Sequence, residues 1–297
     1  MDNIKLEYFR LILTENRQTS LLPQKTRTEL IEELFSNDMD FVSSKNTEYK
    51  YKFKAKSGNY IYGLIFTKRN IEILEDPDNI EPCKHPNWVP QMVIINKGAI
   101  KGENSQLFIF QQNSRKKNDK SLNFLNNCLA CKLNEELKAI HSVFNASFSK
   151  VLENSMTFWD YSNRDDIKEL VINYKMPNFL GIGDSTKNLN ERLAHIKEQT
   201  NATEVIETIT NKDGNLCFKR DDEDLKSTLE LAQQGQSTIV LKGAHKKIIY
   251  SSEKNEQIKS KEINIEEIEI NSSDVTKSVK ALNSVLDKLG LDNESNS

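Results

Sequence analysis

The chain has 297 residues, of which 37% are hydrophobic and 29% charged, and its formal net charge at pH 7 is −3. This length predicts one large domain or two ordinary ones, and the apolar segments are frequent enough to form a core, which excludes a wholly disordered chain. The small net charge gives no global argument for a polyanionic partner.

Charge is distributed unevenly along the chain. Residues 1–150 carry 22 Lys and Arg against 18 Asp and Glu, a net of +4, whereas residues 151–297 carry 19 against 26, a net of −7. The asymmetry permits a nucleic-acid-binding face on the first half. It also fits two domains or subunits that attract each other, or ordinary scatter.

The sequence predicts no targeting or membrane segment. The N-terminus becomes polar within a few residues, and no apolar run approaches the roughly 20 residues that a membrane helix needs. The four cysteines are therefore expected to be reduced thiols of a cytoplasmic protein.

The first half is predicted to be rich in hairpins. After a first strand and an amphipathic helix over residues 21–37, apolar side chains alternate with lysines from Tyr49 to Lys56. A Ser-Gly-Asn turn then reverses the chain, which is typical of a hairpin with one apolar face and one lysine face.

Two loops, a strand pair and a helical segment complete the first half. Three prolines predict a loop over residues 79–90, and apolar runs predict a strand pair over 91–98 and 106–112. A polar loop over 113–120 precedes one helix or two, with Ser121 as the N-cap.

In the second half the predicted strands and helices alternate, in the order β-α-β-α-β-β-α. Gly235 and Gly290 are placed to end two of these helices. The pattern predicts a mixed or antiparallel sheet with helices on one face. The fold class is therefore α+β, with a hairpin-rich subdomain over residues 1–155 that carries a basic face and an acidic subdomain over 156–297.

Two short motifs suggest ligands but are incomplete. Cys128 and Cys131 form half of a zinc site, which Cys83 and His85 could complete, although a buried helical stripe explains the same pair. Residues 181–184 contain two glycines but lack the rest of a phosphate-binding loop. No metal and no cofactor is predicted.

A metal-dependent nuclease is the alternative enzyme class. Such an enzyme needs carboxylates that hold Mg²⁺ and a lysine that polarises the phosphate. The acidic residues near lysines fit that arrangement poorly, so the sequence leans against an enzyme and identifies no catalytic residue.

Clusters of basic side chains are the remaining candidates for function. The candidate nucleic-acid contacts are Lys50, Lys52, Lys54 and Lys56 on one strand face, Arg115, Lys116, Lys117 and Lys120 in one loop, and Lys242, Lys246 and Lys247 at a hairpin tip. Rows of Lys and Arg bind phosphates by counterion release, which requires no base-specific contact. A solvated sheet face and two polar turns explain the same residues without a ligand.

The C-terminal part of the chain resembles a diffuse family of bacterial proteins. A strand ending in Pro-Asn over 167–178, a helix over 189–202, a turn over 213–216, a helix ending at 232–235 and a strand–turn–strand unit over 237–263 follow each other in that family's order. This layout is similar to that of phage-exclusion and abortive-infection proteins of the RexA type.

The resemblance implies an anti-phage defence protein that senses or binds DNA without an evident catalytic centre and forms homodimers. It assigns no DNA-contacting position. We therefore expect nonspecific DNA binding through the basic surfaces, and a second defence-system subunit or a phage protein as a further candidate partner. The alternatives are the metal-dependent nuclease effector and a protein-interaction subunit of a multi-gene defence system.

Overall fold

Two antiparallel sheets and the helices packed on them form an α+β fold. The computed structural model describes residues 3–15, 25–73, 83–98, 105–112, 120–153, 157–175, 187–200, 202, 204–264 and 274–291.

The larger sheet contains eight of the described strands. They are β1 Asn3–Glu15, β2 Met39–Val42, β3 Glu48–Ser57, β4 Tyr60–Ile73, β5 Cys83–Asn96, β6 Ser105–Gln111, β7 Phe144–Lys150 and β12 Ser260–Asn264. Their order is β12-β1-β6-β5-β4-β3-β2, and β7 also pairs with β1.

The smaller sheet contains the other four described strands. They are β8 Glu169–Lys175, β9 Glu204–Thr210, β10 Ser237–Lys242 and β11 Ile248–Ser251, in the order β11-β10-β8-β9. All pairings within it are antiparallel.

Helices cover both sheets. They are α1 Arg27–Phe35, α2 Lys120–Phe124, α3 Ala130–Ala139, α4 Thr157–Ser162, α5 Lys187–Thr200, α6 Glu223–Gln233, α7 Ser252–Asn255 and α8 Val275–Leu289. A π-helical turn, Leu125–Leu129, joins α2 to α3, so Ser121 lies inside α2 and is not its N-cap. Gly235 and Gly290 adopt positive φ after α6 and α8, which confirms the predicted helix ends.

Each sheet buries apolar side chains against helices on a defined face. On one face of the larger sheet, α1, the π-helical turn and α3 cover a cluster that includes Phe9, Tyr51 and Phe108. On the opposite face α8 covers a second cluster, which includes Tyr62 and Ile94. In the smaller sheet α4, α5 and α6 cover a single face, as predicted.

The C-terminal segment returns to the larger sheet. Strand β12 pairs with the start of β1, where Asn3 lies opposite Asn264, and α8 packs on the second cluster of that sheet. The larger sheet is therefore built from both sides of the boundary predicted near residue 155. A local reading of the sequence could not reveal this pairing, because the two strands lie far apart along the chain.

The prediction of a loop over residues 79–90 is wrong from Cys83 onward, because β5 begins there and runs through Pro86 and Pro90. Residues 79–82 lie outside the described part of the chain. The amide of Met92 points away from β4, towards the Gln111 side chain of β6. Pro90 and Pro86 lie two and six positions before Met92, so an amide at either position would also point away from β4. Neither proline therefore removes a hydrogen bond to β4.

Among the described residues, none of the helices combines the length and apolarity required to span a bilayer.

Gly63 gives a test of packing in the larger sheet. A Cβ on Gly63 would overlap the ring of Tyr51, which is fully buried and donates a 2.8 Å hydrogen bond to the Phe35 carbonyl. Gly63→Ala should lower the free energy of unfolding by about 1–3 kcal/mol, as overpacking does elsewhere. Gly98→Ala is the control, because the nearest atom to its added Cβ is the far end of the Asn59 side chain at 3.2 Å. Equal urea midpoints for the two variants would contradict this account.

Candidate nucleic-acid interface

An open groove of about 420 Å³ lies on the larger sheet, where lysines and aromatic rings meet. Its lining residues are Asp38, Lys50, Lys52, Phe53, Lys54, Phe66 and Trp88. Three of the eleven predicted contact residues therefore line one surface.

The long β4–β5 hairpin places the aromatic side chains of the groove. The two strands pair along their full lengths, whereas β6 pairs with β5 only over 93–95. Phe66 lies opposite Lys50 of β3, and Trp88 lies opposite Lys68 of β4. Paired residues share a face, so these four side chains project from the same side of the sheet as the cluster under α8.

Two ammonium groups lie close to the Trp88 indole. The Lys50 Nζ is 5.2 Å from the ring centroid, and the Lys68 Nζ is 6.0 Å away. Cation–π contacts of this kind are worth about 0.5–1 kcal/mol at exposed sites. The indole therefore has two ammonium groups nearby, an arrangement that suits a ligand with both a flat ring and a negative charge.

Carboxylates partly neutralise these lysines. The Lys52 Nζ lies 2.8 Å from a carboxylate oxygen of Asp38, and the Lys68 Nζ lies 2.6 Å from a carboxylate oxygen of Glu48. The hydrogen bond that Lys52 donates to Asp38 raises the pKa of the lysine. Such exposed pairs contribute about 0–1 kcal/mol, so a phosphate can replace them at small cost. Lys54 forms no ion pair with a carboxylate of the described residues.

The prediction that the four β3 lysines share one face is wrong for Lys56. A β-bulge between Phe53 and Ala55 shifts the register, so Ala55 joins the cluster under α8. Lys56 then faces α1 on the other side of the sheet, where its Nζ lies 2.7 Å from Glu32. The extra residue reverses the alternation that a regular strand would keep.

The other two basic clusters do not join this groove within the described residues. Residues 115–117 lie outside the described part, and so does the side chain of Lys120, which begins α2. The hairpin tip belongs to the smaller sheet. There Lys242 pairs with Glu169 at 2.5 Å, and Lys246 and Lys247 are exposed.

The tip has an unusual backbone. His245 and Lys246 adopt φ of 55° and 59°, whereas Gly243 has an ordinary negative φ. Non-glycine residues are uncommon in this left-handed region. The tip is therefore a short 3₁₀ turn that holds two neighbouring side chains outward, and not a turn made by Gly243 alone.

The described residues contain no cluster of three or more His, Cys, Asp or Glu side chains arranged to hold a metal ion. Cys128 is buried in the π-helical turn, and burial together with Cys131 raises its thiol pKa. The exposed Cys131 thiol donates to the Asn126 carbonyl at 3.7 Å. Residues 181–184 lie outside the described part.

Sequence reasoning missed Phe66, Lys68 and Trp88. Trp88 fell in the predicted loop, so its place beside β4 was hidden. The available signal was the alternation of Leu64, Phe66 and Lys68, which continues the strand beyond its apolar centre.

No family model, curated protein or solved structure matches the chain. The geometry of the groove is therefore the main basis for a functional proposal, and the resemblance to phage-exclusion proteins stays a prediction.

The bulge in β3 can be tested through Glu32. Hydrogen bonds from Lys56 and Lys97 lower the pKa of Glu32 to about 2. Lys56→Met should raise this pKa towards the usual value of about 4.3, but not fully, since Lys97 remains at 2.9 Å. An NMR titration of the Glu32 carboxyl measures the shift.

Lys52→Met is the matched control, because Lys52 pairs with Asp38 and should leave the Glu32 pKa unchanged. No shift from either variant would instead place all four lysines on one face of a regular strand, away from α1. Because the folded pKa of Glu32 is depressed, its pairs stabilise the fold above about pH 4, and this contribution is lost as the pH falls through 2. The carboxylate is partly exposed, so the effect on stability is small.

Proposed function

We propose that this protein binds nucleic acid in the groove around Trp88, as a cytoplasmic component of bacterial anti-phage defence. The observation that carries the binding proposal is the indole of Trp88, whose ring centroid lies 5.2 Å from the Lys50 Nζ and 6.0 Å from the Lys68 Nζ in a groove that Phe66 also lines. The defence setting rests on the resemblance of the C-terminal part of the chain alone.

The groove combines cationic and aromatic side chains, the two kinds of group that bind the phosphates and bases of a nucleic acid. Lysines meet phosphates by releasing counterions, and aromatic rings stack on bases without sequence preference. Lys54 supports the first role because it is not paired with a described carboxylate and lines the groove. Phe66 and Trp88 support the second role.

The aromatic lining favours an unpaired strand over a duplex. Bases in a duplex are stacked on each other, so duplex DNA would meet only the lysines and would leave Trp88 and Phe66 unused. An unpaired strand can turn a base onto the ring while its phosphates reach Lys50 and Lys52. Weak sequence preference and steep salt dependence follow from this mode of contact.

Trp88→Ala tests the proposed stacking. The substitution should weaken binding of a labelled oligothymidine by about 1–3 kcal/mol, which is roughly 5- to 150-fold. Lys54→Ala should weaken it less and should flatten the salt dependence by about 0.7 in slope, since one phosphate contact is lost. Fluorescence anisotropy at several salt concentrations provides both values.

Lys56→Ala is the control for these variants, since it removes a lysine of the same strand that faces α1. Its affinity should equal that of the parent. Equal affinity of Trp88→Ala and the parent would overturn the proposal, as would binding that ignores salt. Cleavage of the probe after addition of Mg²⁺ would instead favour the nuclease alternative.

The hairpin tip is tested separately with Lys246→Glu and Lys247→Glu combined. Both side chains are exposed, so stability should change by no more than about 0.5 kcal/mol per site. A long DNA strand should bind several-fold more weakly, because two phosphate contacts become repulsions. Lys212→Glu with Lys219→Glu makes the same change in net charge on other exposed lysines. Equal losses in both double variants would show that the tip makes no specific contact.

A further inference from the structure

A small cavity lies where the ends of the two sheets meet. It has a volume of about 20 Å³, enough for one particle of roughly the size of water. Its walls come from α2, the end of β7, the end of β8, the end of α6, the start of β10 and the start of α7. The polar residues of the lining include Ser149, Lys150, Lys175, Ser252 and Glu253.

Backbone contacts hold the walls of this cavity together. The backbone amide of Leu152 donates to the backbone carbonyl of Gln233 at 2.8 Å, and that of Lys175 donates to the backbone carbonyl of Gln236 at 2.9 Å. Gly235 lies against the Lys150 carbonyl so closely that a Cβ would collide with it. The cavity therefore belongs to a tightly packed junction between these segments.

Two lysines line this one cavity. Lys150 is 7% exposed, and its ammonium donates to the Glu253 carbonyl at 2.7 Å. The ammonium of Lys175 makes no hydrogen bond or ion pair with the described residues. Burial lowers the Lys175 pKa, and the carboxylates of Glu253 and Glu204 do not fully offset this effect.

A third donor lies at the same place. The Ser149 hydroxyl is buried and has no hydrogen-bond partner among the described residues. A buried polar group without a partner is costly, and the Ser149 hydroxyl is such a group. Three residues with donor groups line the cavity, and two of them are cationic against the single carboxylate of Glu253, which favours an acceptor with negative charge.

The size of the cavity decides which anion fits. A nucleotide and a whole phosphate group are too large for a space of about 20 Å³. We propose that the junction cavity binds a single small monovalent anion, chloride under ordinary conditions, held by Lys150, Lys175 and Ser149. The bound ion links the last residues of β7 in one sheet to the end of β8 in the other.

An anion that binds the folded chain and not the unfolded chain must stabilise the folded state by mass action. Thermal unfolding of the full chain is measured at constant ionic strength while sodium gluconate is replaced by sodium chloride. The melting temperature should rise by a few degrees and then saturate. A nonspecific salt effect would instead grow without saturation.

Two variants locate the effect. Lys175→Met and Ser149→Ala should each flatten the response of the melting temperature to chloride. Lys254→Met, which removes an exposed lysine from the same α7 segment, should keep the full response. Ser149→Ala is a small change and keeps the test informative if Lys175→Met fails to fold.

A crystal grown with bromide gives a direct readout, since an anomalous peak is expected beside Ser149 and Lys175. Identical unfolding curves in chloride and gluconate, or an unchanged response in both variants, would overturn the proposal and leave the cavity to a water molecule. Trp88→Ala should retain the chloride response, so failure at this cavity is distinguishable from failure at the groove.

Discussion

The bulge in β3 decides which basic side chains act together. Tyr51 holds the part of β3 before the bulge in place, because its ring fills the space above Gly63 and its hydroxyl donates to the Phe35 backbone carbonyl. After the bulge the alternation of side chains reverses, and Ala55 takes a place in the core under α8. The lysines of one short strand are thus divided between two faces with different chemistry.

The position of the groove also depends on how the larger sheet is covered. Helix α8 packs over the centre of one face, where Leu64 is buried. Phe66 lies at the border of that cluster and is only partly buried, and Trp88 belongs to the next pair of residues on that face of the hairpin. The β4–β5 hairpin extends beyond the part of the sheet that α8 covers. The side chains of Phe66 and Trp88 therefore line an accessible groove and are not enclosed in the core.

Local patterns in the sequence were enough for the fold class and for many of the elements. The α+β class, the helix stops at Gly235 and Gly290 and the β10–β11 hairpin follow from periodicity and turn residues. The return of β12 to β1 could not be predicted, because pairing over long separations leaves no local pattern.

The candidate site was accessible to sequence reasoning only in part. Lysines that alternate with aromatic residues drew attention to Lys50, Lys52 and Lys54. The bulge that separates Lys56 from them has no distinct sequence signal, since Lys54 and Ala55 fit a regular strand equally well. Trp88 was hidden because prolines argue against a strand unless the direction of each amide is known.

The prolines of β5 have a consequence for the behaviour of the chain in a crowded solution. Beyond the end of β6, the outer edge of β5 has no partner among the described strands, and such an edge is a template for another polypeptide. Pro86 and Pro90 stand where an outward-pointing amide would otherwise be offered. An approaching strand finds gaps in the row of donors, so this edge resists aggregation. The groove on the face of the same hairpin remains accessible to a ligand that needs no backbone hydrogen bonds.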